Sequence, residues 1–452
     1  MKRLALTLLV AVALGGPAAR AAATGLSEPA LWLQQYLRID TSNPPGREAA
    51  GAAFLAGILD GAGLETRRLV TPEGRASVYA RLPGREPGAI LLLSHIDVVR
   101  PGEGWTLEPF GGAVVHGELE GRGAIDSKGL GIAELAAIVD LKRRGVAPKK
   151  SVIYLAVADE EAGGGQGTAW VLQQYPELFA DVEAVFNEGG TNRVVDGKVL
   201  WWGVEVAQKR PLWLHFEADG RAGHAASLQP HSAAHQLIEA LGRVLALPPR
   251  FHVSAAARQY VHALAPLHNP ALAHVLSRID EVIAPDGPKE GLLPGMASLF
   301  LDTVQVTVLH ASEQINAVAA RATADADVRL LPDTDAAAFL DEIRRAAGPE
   351  VAVTVLLEAP PGAASPTDSP AYRAVAAVLG QGGAAIVPAF ISGFTDSRYF
   401  RARGIPAYGL MPFALDGDDL RTIHGPDERI PIAELDRGVE RMRRIVAAAA
   451  GE

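Results

Sequence analysis

The chain has 452 residues, 48% of them hydrophobic and 21% charged, with a formal net charge of −10 and no cysteine. This length and composition support two or three domains with a sizeable core and exclude a disordered or low-complexity chain. The acidic balance argues against nucleic acid or anionic membrane as a partner, and without cysteine any bound metal must be held by His and carboxylate, the ligand set of catalytic zinc.

The chain begins with Lys2 and Arg3, an apolar run over residues 4–14, a break at Gly15-Gly16-Pro17, and the small-x-small sequence Ala19-Arg20-Ala21. This is the anatomy of a secretory signal peptide. Residues 1–21 are therefore expected to be removed, and the protein to be exported to a periplasmic or extracellular location. Spanning a bilayer takes about 20 apolar residues, so stable membrane insertion is not expected.

Residues 89–94 (AILLLS) and 152–158 (VIYLAVA) read as buried strands, with a helix over 130–144 between them and a further short strand ending at Asn187. Continuously apolar strands alternating with helices predict an α/β layer with a mixed, largely parallel sheet. After about Gly203 the pattern changes. Residues 212–218 alternate like a half-exposed strand, 231–247 read as an amphipathic helix, and 317–330 alternate again. Between them, 248–313 reads as a long irregular stretch punctuated by proline and glycine. An α+β domain inserted at 208–330 is expected to interrupt a catalytic domain built from 22–207 and 331–452, with a closing helix at 432–449.

In open α/β sheets ligands gather outside the carboxyl ends of the strands. Here those ends run into His95-Ile96-Asp97, Asp159-Glu160-Glu161 and Asn187-Glu188-Gly189-Gly190, and Asp126 sits in a glycine-flanked loop just before a helix. Each has a bland explanation: a structural histidine, a solvated acidic loop, or an N-cap for Asp126. Together they set acids and an imidazole at one edge of one sheet, where carboxylates without a cation repel each other. A divalent metal pair resolves that conflict.

These motifs, with Gly121-Arg122-Gly123 ahead of Asp126, resemble in order those of the M20 metallopeptidases, which include carboxypeptidases, aminoacylases, dipeptidases and succinyl-diaminopimelate desuccinylase. The likeness continues through Gly223-His224, Asn316, Asp327-x-Arg329-x-x-Pro332, Thr395-Asp396-Ser397-Arg398 and Ile423-His424-Gly425. It implies a di-zinc exopeptidase-type catalytic domain with an inserted lid or dimerisation domain. It further implies that His95 and Glu188 bind one ion, Glu161 and His424 the other, and Asp126 bridges both. The ions would be zinc, with cobalt or manganese compatible with the same ligands.

On the same resemblance, Glu160 is the general base and Asp97 hydrogen-bonds the far nitrogen of His95. His224 stabilises the oxyanion, in its own or a partner subunit's active site. Arg398 binds the substrate carboxylate with help from Asn316, the competing reading being a buried ion pair with Asp396; Arg329 is expected to be structural. The implied reaction is cleavage of an amide bond beside a free carboxylate, in a small peptide or an N-acyl amino acid. A co-catalytic aminopeptidase and a non-catalytic binding protein are the alternatives. Glu103-Gly104-Trp105 and Pro109-Phe110 are most similar to the carboxypeptidase S and N-acyl-amino-acid hydrolase branch. A homodimer through the inserted domain is compatible with the likeness.

Overall fold

The computed structural model describes residues 25–289, 292 and 295–452; the expected signal peptide lies outside these. The strands expected at 89–94, 152–158 and up to 187 are Ala89–His95, Ser151–Val157 and Val182–Asn187. They lie side by side and parallel. Every residue of the first two is buried, which is why they read as unbroken apolar runs.

Among the described residues they form the centre of a nine-stranded sheet. Ser151–Val157 is flanked on one side by the antiparallel strands Ala76–Leu82 and Thr66–Val70. Beyond Val182–Asn187 come Ala407–Gly409, Lys198–Gln208 and Ala385–Ile391. The sheet is therefore mixed with a parallel heart.

Alternation along Ala89–His95 sends side chains to two layers. Ile90 and Leu92 pack with the helices Lys128–Arg143 and Ile432–Ala450. Ala89, Leu91 and Leu93 pack with Val171, Leu172, Tyr399 and Phe400 on the opposite face. No helix among the described residues is long and apolar enough to cross a membrane.

A second sheet is antiparallel, in the order Thr303–His310, Arg321–Leu330, Arg210–Asp219, Val351–Glu358. The helices Ala233–Leu245 and Ala336–Ala347 cover one face through Leu237, Leu241, Val244 and Ile343. The sheet thus continues past residue 330, where the sequence reading ends the insertion. Pro332 looks like a boundary, but the chain beyond it makes one more helix and returns as the edge strand beside Arg210–Asp219.

The stretch 248–313 also differs from its irregular reading. It carries the helices Ala255–Leu264, Pro270–Ser277 and Ile279–Ile283 before the edge strand Thr303–His310. Ser254 and Asn269 cap the first two by accepting from the backbone N–H of Ala257 and Leu272. These helices do not belong to the second sheet. Ala257, Val261 and Ile279 pack on Trp201, Val387 and Phe390 at the far end of the catalytic sheet. The alternation read as one strand at 317–330 is two: Ala317–Val318 pairs with Gly223–His224, and Arg321–Leu330 joins the larger sheet.

Candidate metal centre

His95 is the last residue of its strand, and its Nδ1 lies 2.8 Å from the carbonyl oxygen of Asp97. A carbonyl only accepts, so Nδ1 carries the hydrogen and Nε2 of the neutral ring presents a lone pair. That Nε2 is 3.0 Å from Asp126 Oδ1 and 3.5 Å from Glu188 Oε2. On the other side, His424 Nε2 is 3.0 Å from Asp126 Oδ2 and 3.4 Å from Glu161 Oε1. Asp126 therefore divides its two oxygens between two imidazoles. Glu160 completes the group, with a carboxylate oxygen within 4.8 Å of donor atoms of His95 and Glu188.

Backbone geometry aims two of these elements. Asp159, just before the Glu160–Ala162 turn, has φ 71°, and His424 has φ 60°. Both lie in the left-handed region that residues other than glycine seldom occupy. Asp159 is held there by Arg75, whose Nη1 donates at 2.8 Å and whose Nε donates to Glu48 at 2.9 Å.

Electrostatics shows the strain of the arrangement. Burial, reinforced by Glu188, pushes the Glu160 carboxyl well above the usual carboxylate range. Burial also raises Glu188 to about 7, with Asp126 adding and His95 opposing. Hydrogen bonds to Asp126 and Glu161 hold His424 up at about 10. Among the described residues the buried Oε1 of Glu160 finds no hydrogen-bond partner, and that of Glu161 has His424 Nε2 at a long 3.4 Å. Two imidazole nitrogens, four carboxylates and an orphaned oxygen fit divalent cations, which would satisfy the lone pairs and cancel the repulsion.

Asp97 works differently from expectation. Its carboxylate is 3.7 Å from His95 Nδ1, and the backbone carbonyl makes the close contact. The carboxylate instead accepts the backbone N–H groups of Glu160 and Glu161, each at 3.1 Å, and Asn43 Nδ2 at 2.9 Å. It clamps the two-glutamate turn.

Glu428 was not singled out by the sequence. Fully buried, it accepts from the backbone N–H of Gly123, Ile125 and Asp126 and from Arg122 Nη1, at 2.7–3.0 Å. It fixes the loop that presents Asp126. Its only sequence signal is a place four residues after His424, which any surface acid could occupy.

Arg398 is buried and committed. Its Nη atoms donate to the carbonyls of Thr395 (2.9 Å) and Gly163 (2.7 Å), and Asp396 Oδ1 is 3.6 Å away. Its guanidinium covers Phe394 at 4.4 Å, and Arg329 from the second sheet covers the same ring at 4.4 Å. The Arg398 side chain is 3% exposed against 24% for Arg329, which pairs with Asp327. His224 and Asn316 are exposed and adjacent: His224 sits in the two-residue strand facing Ala317, and Asn316 O accepts from Ala225 N. The structure brings His95, Asp126, Glu160, Glu161, Glu188 and His424 together, with Asp97 behind them and Arg398 committed to the turn at Gly163.

The raised groups have a testable consequence. Glu160, Glu188 and His424 all hold protons more tightly folded than unfolded, so the metal-free protein loses stability as pH rises from about 5, where the carboxyls begin to release protons, to about 10, where His424 does. Thermal unfolding of chelator-treated protein should show a midpoint that falls across this window, and divalent metal should restore it at pH 8. A midpoint indifferent to pH and metal would contradict the reading.

Comparison with known proteins accords with this geometry. The sequence model of Peptidase family M20/M25/M40 matches residues 91–448. Aminoacylase-1 from Homo sapiens is 28% identical over 429 residues, covering 92% of this chain and 94% of that protein. Succinyl-diaminopimelate desuccinylase from Methylobacterium sp. (strain 4-46) is 28% identical over 439 residues, covering 93% and 96%. An M20 family metallo-carboxypeptidase from Sulfolobus solfataricus shares the fold, with a TM-score of 0.73 at 17% identity over 94% of this chain and 100% of that one. With the family model matching most of its length, this chain belongs to peptidase family M20/M25/M40 and is a hydrolase.

Proposed function

We propose that the protein is a two-metal amidohydrolase that cleaves the amide bond of an N-acyl amino acid or short peptide beside a free carboxylate. The observation that carries this reading is the division of Asp126 between His95 and His424. His95, Asp126 and Glu188 would hold one ion, and His424, Asp126 and Glu161 the other, with zinc the best match to these ligands. Bound there, the ion pair acidifies water and polarises the scissile carbonyl.

Glu160 Oε1, buried and without a hydrogen-bond partner among the described residues, is the proton acceptor, and the same oxygen returns the proton to the leaving amine. Asp97 keeps Glu160 and Glu161 at their different tasks by holding both backbone N–H groups. His224 Nδ1 accepts from the backbone N–H of Ala226 at 3.0 Å, so its neutral ring carries hydrogen on Nε2. That N–H is the donor offered to the oxyanion, with Asn316 beside it. Carboxylate recognition is reassigned within the pair at Phe394. Both forks are filled, Arg398 by the carbonyls of Thr395 and Gly163 and Arg329 by Asp327; Arg329, the more exposed, exchanges Asp327 for the substrate carboxylate, while Arg398 shores up the ring and the Gly163 turn.

The reading includes a homodimer through the exposed edge strand Thr303–His310, whose unpaired backbone groups suit strand addition. Sedimentation at twice the chain mass is expected, and a monomer at micromolar concentration would leave His224 to its own active site.

The catalytic test compares wild type with Glu160→Gln on N-acyl amino acids, C-terminally free dipeptides and their amidated forms. The substitution should lower kcat by about 100- to 10,000-fold with little change in KM. Amidation of the carboxylate should lower wild-type kcat/KM by about 100-fold, the loss of a charge-assisted pair. If blocking the amine matters instead, the aminopeptidase reading replaces this one.

A further inference from the structure

A cavity of about 160 Å³ opens beside the carboxylate cluster. Asp126 and Glu188 form one wall, and the rest is mainly the side chains of Leu130, Leu410, Met411, Pro412, Phe413 and Ile423. Leu130, Leu410 and Phe413 are buried and belong to the core layer under the helices Lys128–Arg143 and Ile432–Ala450. The guanidinium groups lie on the other side. Arg398 covers the ring of Tyr399 at 4.5 Å, and Tyr399 packs in the layer on the opposite face of the sheet. The apolar cavity and the guanidinium groups therefore lie towards opposite faces of the sheet, with the carboxylate cluster between them.

We propose that this cavity is the acyl pocket, and that it selects N-acyl amino acids carrying an apolar acyl group of roughly six carbons. The inference rests on the amidohydrolase reading above. A substrate laid across the carboxylate row, with its free carboxylate at Phe394, sends its acyl chain towards Met411. The size follows from volume: an apolar cavity of about 150 Å³ accepts one benzene molecule. The chemistry follows from the lining. None of the six side chains offers a strong hydrogen-bond donor or acceptor, and the Asp126 and Glu188 carboxylates on the remaining wall would be committed to cations in the metal-loaded protein, so the α-ammonium of an unblocked dipeptide would be desolvated there beside positive charge.

Close packing makes the wall definite. A Cβ on Gly190 would meet Met411 N at 2.3 Å and the Leu410 carbonyl carbon at 2.4 Å, so the loop after Glu188 and the segment 410–413 lie backbone against backbone. Leu410 N donates to Asn187 O at 2.6 Å, tying that segment to the strand that delivers Glu188. Met411 is only partly buried and is the lining residue best placed to set the depth of the pocket.

The test is a chain-length series of N-acetyl, N-butanoyl, N-hexanoyl, N-octanoyl and N-decanoyl derivatives of one amino acid, with the matching free dipeptide, on metal-loaded protein. Wild-type kcat/KM should climb roughly fourfold per methylene to about the hexanoyl member and then level off or fall. Met411→Trp, which fills the cavity, should lower the hexanoyl-to-acetyl ratio of kcat/KM at least tenfold. Met411→Ala, which deepens it, should move the optimum to a longer chain. Circular dichroism and unfolding midpoints confirm that both variants are folded, and the wild-type profile needs no variant.

A flat wild-type profile, or variants that leave the ratio and the optimum where they were, overturns the acyl pocket and leaves the amidohydrolase standing. Turnover of none of the N-acyl substrates and dipeptides by metal-loaded wild type overturns both.

Discussion

Like charges gathered in a dry place govern this structure. Asp126, Glu160, Glu161 and Glu188 meet at one sheet edge: Asp126 touches both imidazoles, Glu188 lies beside His95 and Glu161 beside His424, and Glu160 has an oxygen within 4.8 Å of His95 and Glu188. Carboxylates so placed repel in proportion to the loss of solvent screening. The surrounding chain is built to hold them there. Glu428 gathers three backbone donors and a guanidinium to fix the Asp126 loop. Asp97 accepts two backbone N–H groups to fix the glutamate turn, and Arg75 ties down Asp159. Further acids are thus given to orientation, each matched by backbone or guanidinium donors, while the four at the edge have only two imidazoles among them and are suited to cations.

The same constraint explains why the fold needs two sheets. The parallel strands bring the acids to one edge but leave that edge open to solvent. The second sheet closes on it from Arg210 onward. Leu357 of its edge strand approaches so near Gly163 that a Cβ there would meet it at 2.8 Å, and Gly163 adopts φ 100°. Phe394 is covered by Arg329 of the second sheet and by Arg398 of the short helix Ser397–Arg401, with Trp213 edge-on at 6.0 Å. A shift of the second sheet would change what Arg329 faces, which, on the function proposed above, links its position to carboxylate recognition.

Much of this was legible in the chain. Strands buried on both faces write themselves as apolar runs, so Ala89–His95 and Ser151–Val157 and the acids that follow them were read directly. His424 was placed only through the family likeness, because a loop histidine far along the chain carries no periodic signal. The helices at 255–283 were missed because proline and glycine on either side outweighed the caps at Ser254 and Asn269. The strand at 351–358 was missed as part of the second sheet because pairing with Arg210–Asp219 depends on tertiary contacts some 140 residues apart. Arg398 and Asp97 show a subtler limit. Their residue types fit the expected roles, but which atom of Asp97 meets His95, and which carbonyls fill the fork of Arg398, are settled by packing.

The central claim is that Asp126 bridges two ions, and a metal count tests it most directly. Equilibrium dialysis of metal-free protein against zinc should return about two ions per chain. Asp126→Ala, folded by circular dichroism, should then retain fewer than about one, because both sites lose an oxygen and a buried imbalance of charge replaces it. A wild-type protein that saturates at one ion, or an Asp126→Ala variant that still binds two, would contradict the account.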